Sequence, residues 1–454
     1  MENRHDTIVA LATAPVPSGV AVMRLSGAHA KQVAEALIGK DLPVRQMVYG
    51  TLSHDNAALD QALAVYFKTP HSFTGEDVVE LHIHGGKATI DAVTTALLSF
   101  ENVRYAEAGE FSRRAFLNGK MDLTAAEGLA DLINANTEAQ RKQALRQMDG
   151  ELGDLFESWR QEILHLLAHV EAAIDFPDEE LDVLKAAGLE GKLTSLIHTL
   201  ENALSTQAGE RLRQGFEAVI AGKPNAGKST LTNMLTGKET AIVSPVAGTT
   251  RDALEAQLDI GGYPLTLVDT AGLRETQDPI EKEGVKRATL RSNAADLVLV
   301  VMDGQQELVL PAEVAHIAPE NMILIASHAD KATSVPAHLA VGDIKLPVLA
   351  LNLTERSHLP TLLSALKDKL DVLYADALSA AQVNRQRHKE SMAEAHLCLH
   401  RAYELFMRPP SGMSLSDLLA QDLRDAARHI GNVTGRTDVE DVLDLVFSTF
   451  CIGK

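Results

Sequence analysis

The chain has 454 residues and 48.9 kDa, room for two to four ordinary domains, and its 45% hydrophobic and 23% charged residues exclude a chain disordered throughout. A formal charge of −20 with pI near 5.3 excludes a protein that coats nucleic acid by bulk charge, though not a local basic patch. Two cysteines, Cys398 and Cys451, make neither a disulfide framework nor a four-cysteine zinc site, and with no long apolar window and a polar start the balance suits a reducing cytosol, with no membrane span or secretion signal expected.

Residues 1 to about 118 mix short apolar runs with turn signals. Strands are predicted at Ile8 to Leu11, Val20 to Met23 and Ala62 to Phe67, and Ile90 to Leu98 reads as a helix. Val79, Leu81 and Ile83 alternate with Glu80, His82 and His84, which puts the polar three on one strand face. From Asp122 the texture turns helical. Thr124-Ala125-Ala126-Glu127 fits a capping box, and Glu151 to Asp182, with ten carboxylates against Arg160 alone, reads as a long acidic-faced helix. From about 216 to 372 strand and helix alternate, as in a doubly wound parallel sheet. Strands are predicted at 217–221, 254–260, 265–269, 297–303, 322–326 and 348–351, with Gly261-Gly262 as a hairpin turn. After about 373 the chain is helical again, so the α/β unit reads as an insertion between two parts of one helical domain.

Gly222-Lys223-Pro224-Asn225-Ala226-Gly227-Lys228-Ser229 matches G-x-x-x-x-G-K-[ST] in full, after an apolar strand and before a helix. Glycines let backbone N–H groups close around phosphate oxygens, and the helix start adds partial positive charge. Lys228 then reaches the β- and γ-phosphates and Ser229 offers a hydroxyl to Mg²⁺. Gly248-Thr249-Thr250-Arg251-Asp252 precedes a strand, where a threonine on a mobile loop serves Mg²⁺ and the γ-phosphate. Asp269-Thr270-Ala271-Gly272 ends the next strand, where Asp269 can hold the metal through water. In this order the three elements indicate a GTPase.

Two departures bear on mechanism. After Asp-x-x-Gly, Ras-like enzymes place a water-orienting glutamine, and here Leu273 stands instead. No arginine finger can be assigned in the chain. A monovalent cation near Asn225 would neutralise developing charge, and Glu281 is either a water-orienting carboxylate or one more exposed charge in Glu281-Lys282-Glu283. Base recognition is reduced: where N-K-x-D is usual the chain reads Ser327-His328-Ala329-Asp330, in which Asp330 still accepts from a guanine edge. Weak nucleotide affinity is therefore expected.

These residues, with Phe111-Ser112-Arg113-Arg114 through Leu123 and Phe450-Cys451-Ile452-Gly453-Lys454, closely resemble the MnmE (TrmE) family over nearly the whole chain. The resemblance implies a multidomain α/β protein. Its parts are an N-terminal α+β folate-binding domain over 1–118 that dimerises, a discontinuous all-helical domain over 119–215 and 373–454, and an inserted Ras-like P-loop G domain over 216–372. It implies a cytoplasmic, potassium-activated GTP hydrolase that is a homodimer. With the FAD- and NADH-using partner MnmG, such a protein adds an aminomethyl or carboxymethylaminomethyl group to C5 of the tRNA wobble uridine. The one-carbon donor is a reduced folate, 5-formyl- or methylene-tetrahydrofolate. Carried over, the GTP contacts are Asn225, Ala226, Gly227, Lys228, Ser229, Thr230, Ser244, Pro245, Val246, Ala247, Gly248, Thr249, Thr250, Asp269, Thr270, Ala271, Gly272 and Asp330. Ser229 and Thr250 match the Mg²⁺ ligands, and Asn225, Ser244, Val246 and Thr249 match the K⁺ ligands. Glu281 falls at the family's catalytic glutamate, and Arg24, Glu80, Lys120 and Lys454 match folate contacts. Glu80 suits the donor edge of a pterin, which a carboxylate can bind bidentately, and the cations suit a glutamate tail.

Two readings of Cys451 stand: a thiol active in the folate and uridine chemistry, or a packed cysteine. His82 and His84 read as satisfied or site-lining histidines, with a metal pair as the lesser alternative. Arg141-Lys142 with Arg146 is one basic patch for tRNA, and the partner protein is the other candidate surface. The rival function is a ribosome-assembly or RNA-binding switch GTPase, which would usually append a basic RNA-binding module; none is visible here.

Overall fold

The structure, a computed structural model, describes residues 6–14, 17–174, 184–185, 188–206, 208–237, 255–269, 295–379, 383–409 and 414–436, then 443, 446–448, 450 and 452–453. The chain divides into two compact units: residues 1–130, 148–187 and 404–454, and residues 131–147 and 188–403.

The first unit opens with β1 (Thr7–Leu11), β2 (Ser18–Ser26), α1 (Ala30–Ile38), β3 (Met47–His54), β4 (Ala57–Phe67), β5 (Val78–Gly85), α2 (Lys87–Leu98) and β6 (Val103–Tyr105). They form a six-stranded sheet ordered β3-β4-β5-β2-β1-β6, antiparallel except where β1 meets β6. The alternation expected on β5 is present. Val79, Leu81 and Ile83 are buried in one core with Val33 and Leu37 of α1 and Val93 and Leu97 of α2. One sheet face is thus covered by helices, and Glu80 and His82 lie on the other. The unpredicted strand β3 is joined to β4 at Asp55-Asn56, whose φ angles of 50° and 62° are those of a type I′ hairpin turn.

The helices α3 (Glu110–Leu117), α4 (Leu123–Asn134), α6 (Glu151–Ile174) and α12 (Leu415–Thr434) fall wholly or largely in this unit, and α5 (Glu138–Met148) precedes α6. The capping reading of α4 is corrected. The helix begins at Leu123, and Asp122 Oδ1 accepts the Ala125 amide at 2.7 Å and the Thr124 hydroxyl at 2.8 Å, so Asp122 caps and Thr124 lies inside the first turn. The predicted acidic helix is present as α6 as far as Ile174, and residues 175–182 of that prediction lie outside the described residues. Leu152, Phe156, Trp159, Ile163, Leu166 and Val170 form its buried stripe, facing the stripe of α12 that includes Leu419, Leu423 and Ile430.

The second unit holds α7 (Leu189–Ser205), α8 (Ala208–Gln214), β7 (Phe216–Ala221), α9 (Lys228–Leu235), β8 (Glu255–Ile260), β9 (Tyr263–Asp269), β10 (Leu297–Asp303), β11 (Met322–Ser327), β12 (His338–Val341), β13 (Ile344–Ala350), α10 (Leu359–Ser379) and most of α11 (Gln386–Met407). The sheet order is β12-β13-β11-β10-β7-β9-β8, parallel through its middle with antiparallel β12 and β8 at its edges. Leu297 to Met302 is buried without alternation, the texture of a parallel strand covered on both faces. The turn Gly261-Gly262 has φ of 60° and 95°, as its sequence predicts, and the Gly262 carbonyl accepts the Ala139 amide at 2.9 Å. The buried Tyr374 ring meets Phe216 edge-on at 4.4 Å, stacks on Tyr263 at 4.8 Å and donates its hydroxyl to the Pro264 carbonyl at 2.8 Å.

Candidate functional site

The candidate phosphate loop joins β7 to α9. Its two glycines are fixed by different constraints. A Cβ on Gly222, at φ 144°, would stand 2.1 Å from the Val301 carbonyl of β10, so the loop can pass there only without a side chain. Gly227, at φ 100°, is the residue that starts α9. Asn225 is also left-handed at φ 63°, a conformation asparagine tolerates better than most residues, and it is exposed. Lys228 is 7% exposed, and its Nζ donates to the Gly222 carbonyl at 2.7 Å and the Lys223 carbonyl at 2.8 Å. The ammonium is therefore held inside the curl of the loop, directly behind the helix start where an anion is favoured. Ala226 is buried, Ser229 is exposed and Thr230 is half-buried.

Beside this loop, the Ser327 Cβ would lie 3.4 Å from a Cβ on Gly227. His328 takes the left-handed φ of 51°, and its Nδ1 lies 3.2 Å from Asp303 Oδ1 and from Ser327 Oγ. The Gln305 amide, then the neighbouring imidazole, hold the Asp303 carboxyl below its usual range. Asp330 is exposed at the loop after β11. The backbone of Asp269 ends β9 beside β7, which brings that position to the same sheet edge as the phosphate loop. Ser244, Pro245, Val246, Ala247, Gly248, Thr249, Thr250, Thr270, Ala271, Gly272, Leu273 and Glu281 lie outside the described residues, as do Cys451 and Lys454.

The second candidate site is on the other face of the first sheet, which Phe111 of α3 partly covers. Register sets Arg24 of β2 opposite Glu80 of β5, and Glu80 Oε1 accepts Arg24 Nε at 2.9 Å and lies 2.8 Å from Nη2. The guanidinium carbon lies 5.7 Å from the Phe73 ring centre and 5.9 Å from that of Phe111. The Gly453 carbonyl accepts Arg24 Nη1 at 3.5 Å, and the neighbouring Ile452 bridges to Ala108. Lys120 donates from Nζ to the Pro70 carbonyl at 2.9 Å, on the loop that carries Phe73. Arg24 and Glu80 are thus in direct contact, and Lys120 joins them through that loop. Phe73 and the Gly453 carbonyl were not anticipated; no spacing in the sequence ties them to residue 24.

Below this face, Arg114 explains part of the Phe-Ser-Arg-Arg run. Its guanidinium reaches Asp6 Oδ1 at 2.8 Å, Glu110 Oε1 at 2.9 Å and Glu76 Oε2 at 3.2 Å, while Ser26 donates to Glu76 at 2.7 Å. Burial alone would push the Glu110 carboxyl up, but Arg104 and Arg114 hold it below the usual range. This network braces α3 against the strands.

The histidines expected on one face have separate surroundings. His84 is exposed and pairs with Asp60 at 2.7 Å, whereas His82 faces Glu80. Among the described residues no group of three His, Cys, Asp or Glu could hold a metal, and no helix is long and apolar enough to cross a membrane. In the basic patch, Arg141 and Lys142 both pair with Glu138, at 2.8 and 3.6 Å, and these cations, Arg141 first, push its carboxyl down to about 2.

Two family models match: "GTP-binding protein TrmE N-terminus" over residues 7–120 and "MnmE helical domain" over residues 123–451. A protein of Rhodospirillum rubrum named tRNA modification GTPase MnmE is 46% identical, with 99% of each chain covered. A protein of the same name from Parvibaculum lavamentivorans is also 46% identical over 99% of this chain and 100% of its own. The solved G domain of the T. maritima FeoB iron transporter matches 35% of this chain and 98% of its own at 26% identity, with a TM-score of 0.24. With a family model spanning more than half of the chain and relatives this close over its full length, the chain belongs to the MnmE (TrmE) family of GTPases, with the N-terminal domain and the helical domain of that family both matched.

Proposed function

We propose that this chain hydrolyses GTP with potassium assistance and uses that cycle to modify tRNA, in the cytoplasm, as a homodimer working with the FAD-dependent protein MnmG. The product is the wobble uridine carrying an aminomethyl or carboxymethylaminomethyl group at C5, and the carbon comes from a reduced folate. The observation that carries the reading is the loop Gly222–Ser229, whose curl holds the Lys228 ammonium beside the start of α9.

Lys228 must exchange its two loop carbonyls for phosphate oxygens, a trade of like bonds that costs little. Asn225, exposed and already in its left-handed turn, suits a cation site with Ser244, Val246 and Thr249. Ser229, also exposed, suits a Mg²⁺ site with Thr250. Bound there, the two cations would neutralise charge developing on the transferred phosphoryl group. Ala226, Gly227, Thr230, the residues 244–250 and Asp269 to Gly272 line the triphosphate in this reading, and Asp330 reads the base. Leu273 cannot orient water, so Glu281 takes that role. Arg24, Glu80, Lys120 and Lys454 hold the folate, and Cys451 stands near its chemistry.

The test is single-turnover GTP hydrolysis by the purified chain in K⁺ and in Na⁺. Hydrolysis is expected to be faster in K⁺ by about a hundredfold or more, the scale of losing one charge-stabilising group. Equal rates in the two salts overturn the potassium mechanism. A ribosome-assembly switch would instead show binding to ribosomal RNA and no change in tRNA modification when the gene is deleted.

A further inference from the structure

In the first sheet, β5 runs between β4 and β2. Register places Arg24 and Val65 on either side of Glu80, and Val22 and Leu63 on either side of His82. Glu80 and His82 are therefore consecutive on one face, and their bonding is unfinished in a specific way. Both contacts from Arg24, Nε at 2.9 Å and Nη2 at 2.8 Å, go to the same oxygen, Oε1. The two-on-two fork that an arginine usually makes with a carboxylate is absent. Oε2 of Glu80 is left facing His82 Nε2 at 3.7 Å, beyond hydrogen-bond length. His82 Nε2 is itself buried and has no hydrogen-bond partner among the described residues. A buried ring nitrogen without a partner is uncommon in folded proteins and marks a place where something else completes the bond. His84, two residues on, is exposed and satisfied by Asp60, so the unfinished bonding belongs to His82 and not to the strand.

This arrangement changes how the carboxylate can read a pterin. With Oε1 committed to Arg24, Glu80 cannot bind the donor edge with both oxygens, as the sequence suggested. One acceptor, Oε2, remains, with one imidazole nitrogen beside it. We infer that Glu80 Oε2 and His82 Nε2 act as a pair that recognises a 2-amino-4-oxo pyrimidine ring, the carboxylate oxygen accepting the ring N–H beside the oxo group and the imidazole N–H donating to the neighbouring 4-oxo oxygen. The inference rests on the reading that this face takes a reduced folate. It adds His82 as a ligand-contacting residue and gives it the part that the arginine-bound carboxylate cannot play. The role requires a proton on Nε2. Val22 and Leu63, beside the imidazole on the neighbouring strands, supply apolar flanks against which a flat ring can lie.

The test uses the full chain at pH 8, where an ordinary imidazole is neutral. Binding of 5-formyltetrahydrofolate is measured by calorimetry for the wild type, His82→Leu and His82→Gln, with thermal melting as the control for folding. Leucine removes the donor, and glutamine restores an N–H on a side chain of similar reach. His82→Leu is expected to weaken binding about tenfold or more, and His82→Gln to stay within about threefold of wild type, the scale of one hydrogen bond to a ligand oxygen. Wild-type affinity in His82→Leu overturns the inference while leaving the folate reading intact. So does a glutamine variant that melts normally and binds as poorly as leucine. No folate binding by the wild type overturns the folate reading, and the inference with it. Should the variants not fold, a crystal of the wild type with 5-formyltetrahydrofolate decides: Nε2 within hydrogen-bond length of the 4-oxo oxygen supports the pair, and Nε2 facing any other atom overturns it.

Discussion

The phosphate loop and the Arg24–Glu80 face are assembled by opposite routes. The loop is a run of eight consecutive residues, Gly222 to Ser229, and every group it offers comes from that run. The sheet face gathers residues 24, 80, 82, 73, 111 and 453, which meet only because β2 lies beside β5 and because residues 452–453 return to the strands. A local site tolerates change elsewhere in the chain. A gathered site depends on register, and a shift of one residue between β2 and β5 would turn Arg24 to the covered face.

Three variants or conditions break or sharpen that contrast, here from the largest expected effect to the smallest. Lys228→Ala removes the one ammonium inside the loop. GTP hydrolysis should fall by a factor of about 10² to 10³ or more, the usual loss for a charge-stabilising donor, while calorimetric folate binding stays at the wild-type level. A parallel loss of folate binding would show that the two sites are not separable. Arg24→Ala should do the reverse. It leaves Glu80, whose side chain is 21% exposed, without its cation, at a cost of about 1–3 kcal/mol in urea unfolding, and it abolishes measurable folate binding with GTP hydrolysis retained. Unfolding unchanged by this substitution would mean the pair is solvated rather than built into the face.

The third concerns pH. The Tyr66 hydroxyl, on the strand beside β5, donates to Asp77 at 2.8 Å, and burial first, then that carboxylate, push it up to about 12. A raised value stabilises the fold fully below the unfolded value of about 10, and this contribution is lost as pH rises from there through about 12. Melting temperature should therefore fall between those values, and Tyr66→Phe should flatten the fall. An identical slope in the phenylalanine variant would place the alkaline loss elsewhere.

What the sequence disclosed follows the same division. The loop, its flanking strand and the parallel strands Leu297 to Asp303 and Met322 to Ser327 were legible because contiguous pattern determines them. The face alternation of β5 was legible for the same reason. Strand β3 was missed, since its inward residues, Val48, Gly50 and Leu52, are too mixed to read as a stripe, although Asp55-Asn56 was an available hairpin signal. The α4 cap was misplaced by two residues because both Asp122 and Thr124 can cap, and only geometry shows which oxygen reaches the amide three residues on. The single-oxygen pairing of Glu80 has no signature in sequence at all, since it depends on the angle at which one guanidinium approaches.

The contact between Phe216 and Tyr374 has one further consequence. The strand that begins the α/β segment and the helix that closes it present rings 4.4 Å apart. A segment whose first strand and last helix pack ring against ring keeps its points of attachment near each other, so splicing it into a host chain costs little chain entropy. The same closure makes residues 216–374 a candidate for excision as a separate polypeptide, or for transplantation into another helix pair, with Tyr374 as the clasp that must travel with it.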